Sequence, residues 1–545
     1  MRIITIPTTA YQDQRPGTSG LRKKVRMFQE AGYLENLIQA IFEVLPERKG
    51  ATLVLGGDGR YFNSQAIQVI LKMAAANGLG RVLVGQNGIL STPAISHLIR
   101  SRSAVGGIIL TASHNPGGPE HDFGVKYNVS NGGPAPEPVT ERIWGISKRL
   151  DAYRIVDTQN EVPVQTPGIT TLGEMVVEVC DSTADYLNMM EGIFDFPKIS
   201  RLLSGGTFSM RYDALHAVTG PYAHDLFEKR LGAPKGSVVH GTPLPDFGGL
   251  HPDPNLVHAK SLVDSLYGEK AADFGAASDG DGDRHMILGR RFFVNPCDAF
   301  AVLVAHANRI PAYQGKIYGV ARSMPTSRAV DSVAKRLNIP LYETPTGWKY
   351  FGDLMDAGQV TFCGEESFGA GSTHIREKDG LWAVLFWLSI IAETGQSVAD
   401  IVRDVWRTHG RYYFSRHDFE NLPSDVAQVV LDDLRDGLAK LPGQRVLDTS
   451  VQSADDFVYK DPVNGRISEH QGIRILLADH SRIVVRISGT GTEGATMRLY
   501  FERFTNRPDE IDLDVQQMLA PLVRYAYGLT GIRKRSGRKE PDVVT

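Results

Sequence analysis

Val105-Gly106-Gly107-Ile108-Ile109-Leu110 runs directly into Thr111-Ala112-Ser113-His114-Asn115-Pro116-Gly117-Gly118. An apolar run of this length, stopped by a polar glycine-rich segment, reads as a buried strand ending in a loop. The arrangement recurs three times. Ala271 to Ala277 leads into Ser278-Asp279-Gly280-Asp281-Gly282-Asp283-Arg284. Val360 to Cys363 leads into Gly364-Glu365-Glu366-Ser367-Phe368-Gly369, and Ile483 to Ile487 into Ser488-Gly489-Thr490-Gly491-Thr492-Glu493-Gly494. Upstream, Thr52 to Leu55 reads as a strand, Ser64 to Ala75 as a helix and Arg81 to Val84 as a strand. That rhythm implies a parallel sheet with crossover helices. Ligands of open α/β sheets lie beyond the carboxyl ends of the strands. Four such loops, about 80 to 170 residues apart, therefore predict an α/β fold of four domains, each aiming one loop at a central cleft. The boundaries fall between periodic segments, giving 1–187, 188–296, 297–397 and 398–545. The Pro-rich stretch 132–138 is an irregular excursion in the first domain.

The strongest local signal is the alternation of Asp279, Asp281 and Asp283 with glycine. Hard divalent cations take carboxylate oxygens, and glycine lets a short backbone fold until three carboxylates converge. Three negative charges this close are costly without a cation. An EF-hand would need Gly at its sixth position and Glu at its twelfth. Those positions hold Arg284 and Arg290, so the loop fits a magnesium with open coordination positions instead. Ser113 lacks the Gly-x-Ser-x-Gly elbow of a hydrolase, and its sequence neighbour His114 is poorly placed to act as a Ser-His pair. It is either an ordinary turn serine or a carrier of phosphate, whose charge the metal and Arg284 would offset. Ser488 to Thr492, with Arg486 and Arg498, reads as an anion cradle without the Walker ending. Glu365 and Ser367 suit sugar hydroxyls, and Arg376 and Lys378 suit a phosphate or an acid role. Trp348, in Thr346-Gly347-Trp348-Lys349, either lines a sugar site or packs in the core.

Composition excludes several classes. The chain carries 59 basic and 62 acidic residues, a formal net charge of −3, so no overall field favours nucleic acid or an anionic membrane. Three scattered cysteines, Cys180, Cys297 and Cys363, build no disulfide framework and favour a reducing compartment. No signal-like segment opens the sequence, and the longest apolar run, Leu381 to Ile391, is too short to cross a bilayer and reads as a buried helix. The expectation is a cytoplasmic protein. The tail from Arg533 to Thr545, which opens on a basic run to Lys539, reads as a solvated terminal segment rather than a nucleic-acid patch.

Taken together, the loops resemble the alpha-D-phosphohexomutase superfamily and, within it, the alpha-phosphoglucomutases. The matching motifs are Pro-Gly-Thr-Ser-Gly-Leu-Arg at 16–22, Thr-Ala-Ser-His-Asn-Pro-Gly-Gly at 111–118 and Asp-Gly-Asp-Gly-Asp-Arg at 279–284. They continue with Gly-Glu-Glu-Ser-Phe-Gly at 364–369, Arg-Glu-Lys-Asp-Gly-Leu-Trp at 376–382 and Ser-Gly-Thr-Gly at 488–491. The resemblance implies three related mixed α/β domains and a smaller C-terminal α+β domain. It implies interconversion of glucose 1-phosphate and glucose 6-phosphate, with glucose 1,6-bisphosphate as intermediate and activator. Ser113 would be the phosphoserine, sharing magnesium with Asp279, Asp281 and Asp283. Arg22, His114 and Lys126 would surround the transfer point, with Lys378 a further catalytic candidate. Thr18, Ser19, Arg284, Thr346, Gly347, Trp348, Glu365, Ser367 and Lys378 would contact substrate. Arg486, Ser488, Gly489, Thr490 and Arg498 would hold the non-reacting phosphate. The Glu-Glu-Ser loop resembles glucose-preferring members. The expected partners are small hexose phosphates, not nucleic acid or membrane, and the expected state is a monomer or weak homodimer.

Overall fold

A computed structural model describes residues 1–545 except Thr18, Leu447 and 489–493. The chain divides into two compact units. The first comprises Met1–Phe293, Ala307–Lys316 and Phe368–Val398; the second comprises Val294–His306, Ile317–Ser367 and Ala399–Thr545.

The first unit is built on two main sheets, beside an antiparallel pair of strands, Ile3–Pro7 and Ala152–Val156. In the larger, seven strands lie in the order Leu21–Lys24, Asp122–Val129, Gly106–Leu110, Thr52–Gly57, Arg81–Ile89, Met175–Cys180 and Gly168–Leu172. The four from Gly106–Leu110 to Met175–Cys180 are parallel, and the flanking strands are antiparallel. The central parallel strands Thr52–Gly57 and Gly106–Leu110 bury nearly every residue because helices such as Asn63–Ala76 and Thr92–Ser101 cross over between the parallel strands. The order reverses around Thr52–Gly57. The chain steps to Arg81–Ile89 on one side and returns to Gly106–Leu110 on the other. This switch point opens a crevice at the strand ends, where Asp58 to Arg60 and Thr111 to Gly118 emerge side by side.

The second sheet orders Val238–Val239, Met210–Asp213, Phe274–Ser278, His285–Gly289 and Phe292–Phe293. Ser278 pairs with His285 across an antiparallel hairpin, so Asp279 to Arg284 is the hairpin loop itself. The expected apolar helix is Gly380–Thr394. It is almost wholly buried, and the Asp379 side chain caps it by accepting from the Trp382 N–H at 3.1 Å. Among the described residues, no single helix is long and apolar enough to cross a membrane.

In the second unit, three parallel strands order as Leu341–Thr344, Val320–Ser323 and Phe362–Glu365, served by helices including Ala329–Leu337 and Lys349–Asp356. The C-terminal part carries seven antiparallel strands in the order Arg445–Val446, Thr449–Asp456, Ile473–Leu477, Arg482–Ser488, Ala495–Thr505, Arg411–Leu422 and Val543–Val544. Helices Ser424–Gly437 and Val515–Thr530 supply apolar residues to its core. The four sheets thus give the expected α/β class, with the last of α+β type.

The basic run follows its solvated reading, Arg533 to Arg535, Gly537 and Lys539 being exposed. Arg533 pairs with Glu540 at 2.9 Å, Ile532 is fully buried, and Val543 and Val544 add an edge strand against Asp418 and His417. The buried isoleucine and the strand ladder anchor this exposed segment at its two ends.

A buried ion-pair cluster ties the two parts of the second unit. Arg328 donates to Glu502 from its backbone N–H at 2.7 Å and from Nε at 2.6 Å, and Arg482 Nη2 lies 3.4 Å away. Burial alone would raise the Glu502 carboxyl, but the Arg482 and Arg328 guanidiniums overcome it and hold the group at about 2. A carboxyl depressed in the folded state contributes stability that is complete above its unfolded value near 4.5 and fades as pH falls toward 2. Glu502→Gln is expected to cost about 3–5 kcal/mol at pH 7, because it leaves buried arginines uncompensated. The loss should shrink as pH drops below about 4.5, which thermal melts of both proteins across pH 3–7 would show.

Candidate active site

Ser113 adopts a left-handed backbone conformation, φ 52°. Such a conformation costs a non-glycine residue about 1–3 kcal/mol and persists only where neighbours enforce it. Here the Thr111 hydroxyl oxygen accepts from the Ser113 N–H at 2.8 Å, and Arg60 Nη2 donates to the Ser113 carbonyl at 2.8 Å. Arg60 is itself fixed, donating from Nε to Asp58 at 2.9 Å and from Nη1 to the Asp122 carbonyl at 2.9 Å. Thr111 Oγ1 in turn donates to Asp58 at 2.6 Å. The brace joins the two strand ends of the switch point and turns the serine hydroxyl toward the hairpin of the neighbouring sheet.

There Ser113 Oγ donates to Asp279 Oδ2 at 2.8 Å. The approach requires glycine at position 280, since a Cβ there would lie 2.3 Å from the Ser113 carbonyl oxygen. Asp279, Asp281 and Asp283 are all buried, and their ligand oxygens lie within 4.8 Å of one another. Burial first, then the facing Asp281 and Asp283, push the Asp279 carboxyl well above the usual range. Asp281 Oδ2 accepts from the Thr92 hydroxyl at 2.6 Å, while Asp281 Oδ1 and Asp283 Oδ1 are buried without a hydrogen-bond partner. Orphaned, mutually repelling carboxylate oxygens beside a serine hydroxyl form a donor set that fits a hard divalent cation.

Cations surround the triplet. Arg284 Nε lies 3.8 Å from Asp279 and 3.9 Å from Asp283, and Lys378 Nζ lies 3.2 Å from Asp283. Burial pushes the Arg22 guanidinium down to about 10, so it stays charged at neutral pH, and its Nε has no hydrogen-bond partner. Lys126 donates to Glu377, which also accepts from Asn128 at 2.8 Å. His114 Nδ1 lies 3.4 Å from Ser113 Oγ. The first unit therefore brings together Ser113, His114, Lys126, Lys378, Arg284 and the aspartates. Ser19 lies in the half-buried turn preceding Arg22.

In the second unit Glu365 accepts from the Gly347 N–H at 2.9 Å, next to a half-buried Ser367. Thr346 Oγ1 and Trp348 Nε1 are buried without partners, the Trp348 ring packing edge-on against Phe351 at 4.9 Å. The Trp348 ring packs as its core reading expects, and its unpartnered Nε1 is the atom its sugar reading would use. Arg486 and Arg498 pair across adjacent strands; Arg486 Nε has no partner and Arg498 Nε lies 3.5 Å from Asp418. Ser488 is buried at the end of its strand. Thr18, Gly489 and Thr490 lie outside the described residues.

Sequence reasoning missed Asp58, Arg60, Thr92 and Glu377. Asp58 and Arg60 had a signal, the strand-end run Gly56-Gly57-Asp58-Gly59-Arg60, a fifth loop of the same kind. Glu377 stood inside a quoted motif. Thr92 had no signal beyond its place at the start of a helix.

A serine hydroxyl set on a carboxylate cluster, ringed by arginine and lysine, is a site for moving phosphoryl groups, where positioning and charge stabilisation do most of the catalysis. Comparison with known proteins narrows the class. The family models "Phosphoglucomutase/phosphomannomutase, alpha/beta/alpha domain" I, II and III match residues 13–154, 184–291 and 296–409. That for "Phosphoglucomutase-1, C-terminal domain" matches 411–542. The chain is 55% identical over 543 residues to the phosphoglucomutase of Rhizobium radiobacter, covering 100% of both. It is 50% identical to the chloroplastic phosphoglucomutase 1 of Marchantia polymorpha, covering 100% of this chain and 85% of that one. The crystal structure of the Paramecium phosphoprotein parafusin, a phosphoglucomutase in its open form, superposes with a TM-score of 0.92 at 45% identity, covering 100% and 99% of the two chains. The chain belongs to the phosphoglucomutase/phosphomannomutase family. Within it, the relatives that share half its residues or more carry the name phosphoglucomutase.

Proposed function

We propose that this chain is a magnesium-dependent phosphoglucomutase, interconverting α-D-glucose 1-phosphate and D-glucose 6-phosphate through a phosphoserine and glucose 1,6-bisphosphate. The observation that carries the reading is the 2.8 Å contact of Ser113 Oγ with a buried, cation-demanding aspartate triplet, in a chain that matches phosphoglucomutases from end to end. Ser113, Asp279, Asp281 and Asp283 would hold the metal, which when bound offsets negative charge at the transferring group.

The rest is the work of the chain. A free hydroxyl of the sugar phosphate attacks the phosphorus carried by Ser113 and gives up its proton, the serine O–P bond breaks, and a proton returns to the Ser113 oxygen, which then donates to Asp279. The bisphosphate turns over, and its other phosphate returns to Ser113 by the reverse chemistry. Lys126 and His114 are assigned the hydroxyl proton ahead of Lys378 and Arg22. Lys126 is supported by Glu377, a proton partner within hydrogen-bond reach, and His114 by its nearness to Ser113 Oγ. Arg22, Arg284 and Lys378 stabilise the transferring phosphate. Ser19 with Thr18, Thr346, Gly347, Trp348, Glu365 and Ser367 are assigned to substrate. Arg486, Ser488, Gly489, Thr490 and Arg498 are assigned to the non-reacting phosphate, with the unpartnered Nε of Arg486 as support. We read the chain as four domains, 1–187, 188–296, 297–397 and 398–545. It acts on small hexose phosphates in the cytoplasm, as a monomer or weak homodimer without nucleic-acid or membrane partners.

The test is glucose 6-phosphate formation from glucose 1-phosphate with magnesium and a trace of bisphosphate, set against mannose 1-phosphate. The Glu-Glu-Ser loop predicts a kcat/KM at least about tenfold higher for glucose, ~1.4 kcal/mol of transition-state preference. Equal values for the two sugars would favour a phosphomannomutase of the same family.

A further inference from the structure

Among the described residues, one other group of metal-ligating side chains stands outside the aspartate triplet: His251, Asp253 and His258, whose ligand atoms lie within 4.8 Å of one another. They sit on an irregular segment between the turn Phe247–Gly249 and the helix Lys260–Tyr267. Short turns fold it back on itself. The Asp253 N–H donates to the His251 carbonyl at 2.8 Å, and Asn255 Oδ1 accepts from the N–H groups of Val257 and His258 at 2.9 Å each. The two imidazole rings end 3.9 Å apart at 42°. Asn255 Nδ2 donates to Asp253 Oδ2 at 2.7 Å, which orients the carboxylate as outer partners do in metal sites. The segment is anchored from outside by the Gly280 N–H, which donates to the Pro252 carbonyl at 3.1 Å. All three side chains are half-buried, so the group is held in place yet open to an ion from solvent.

We propose that His251, Asp253 and His258 form a second cation site, distinct from the aspartate triplet and selective for a transition ion of the zinc class. Two imidazole nitrogens and one carboxylate suit a borderline ion, whereas magnesium and calcium take oxygen ligands. Three protein ligands leave a fourth position for water. The site reaches the serine through one ring: His114 lies parallel to His251 at 6.4 Å, with its Nδ1 3.4 Å from Ser113 Oγ.

The experiment is zinc binding to the full-length protein in excess magnesium, by equilibrium dialysis, with X-ray absorption to identify the ligands. The expected result is one zinc per chain that magnesium does not displace, with two nitrogen scatterers at about 2.0 Å. His258→Gln should weaken that binding at least about 30-fold and leave the fold and the magnesium-supported mutase rate unchanged, since His258 touches no group of the phosphoryl site. An all-oxygen zinc shell, complete displacement by magnesium, or equal zinc affinity in His258→Gln would each overturn the proposal. None of these readouts depends on the mutase assignment.

Discussion

Ser113→Ala is expected to lower kcat for glucose 6-phosphate formation by several orders of magnitude. A 10³-fold loss corresponds to ~4.1 kcal/mol of transition-state stabilisation. The change removes one oxygen and leaves the turn otherwise intact, because the brace on it acts through the Ser113 backbone: Thr111 Oγ1 on its N–H and Arg60 on its carbonyl. The neighbouring Thr111 hydroxyl cannot take over, since its Oγ1 is committed to Asp58 at 2.6 Å. Thermal stability should therefore hold within about 1 kcal/mol, the worth of one hydrogen bond to Asp279. Comparable turnover in the variant and the parent would remove Ser113 from the covalent role.

The second large effect concerns the aspartates. Asp279→Asn should lower kcat at least about 100-fold with magnesium saturating, and a chelator should abolish the parent's activity until magnesium is restored. Its effect on stability should change sign with the metal. Without a cation, three buried carboxylates repel one another, and Asp279 is already pushed toward its neutral form by burial and by its two neighbours. Neutralising Asp279 relieves that repulsion, and Asn can still accept from the Ser113 hydroxyl, so the melting temperature should rise in chelator. With magnesium the parent gains binding energy that the variant partly loses, so the variant should melt lower. Calorimetry of both proteins with and without magnesium checks this. A variant less stable than the parent in both conditions would contradict the metal assignment.

The loops were legible in the sequence because their chemistry is local. Three aspartates interleaved with glycine, or a serine directly after an apolar run, announce themselves within a few residues. The structure placed Asp279 to Arg284 as a hairpin loop and Ser113 at a strand end as expected. What holds these loops was not legible. Arg60 braces Ser113 across 53 positions, Thr92 reaches Asp281 across 189, and Lys126 meets Glu377 across 251. The first follows from the strand-order reversal at Thr52–Gly57, and the other two join segments that meet only in the folded chain; no local pattern encodes either. The pairing of the C-terminal strand was not legible for a similar reason. The tail's composition is that of a solvated segment, but its last strand pairs with His417 and Asp418, more than a hundred residues earlier. Trp348 was ambiguous because an aromatic beside a glycine turn serves a core and a sugar site equally well; its ring packs on Phe351.

The most direct measurement is to incubate the protein with magnesium and glucose 1,6-bisphosphate labelled in both phosphates, then map the retained label by peptide mass spectrometry. The account predicts a single stable phosphoryl group on Ser113, discharged by unlabelled glucose 1-phosphate. Label on any other residue, or full turnover with no label retained, would contradict it.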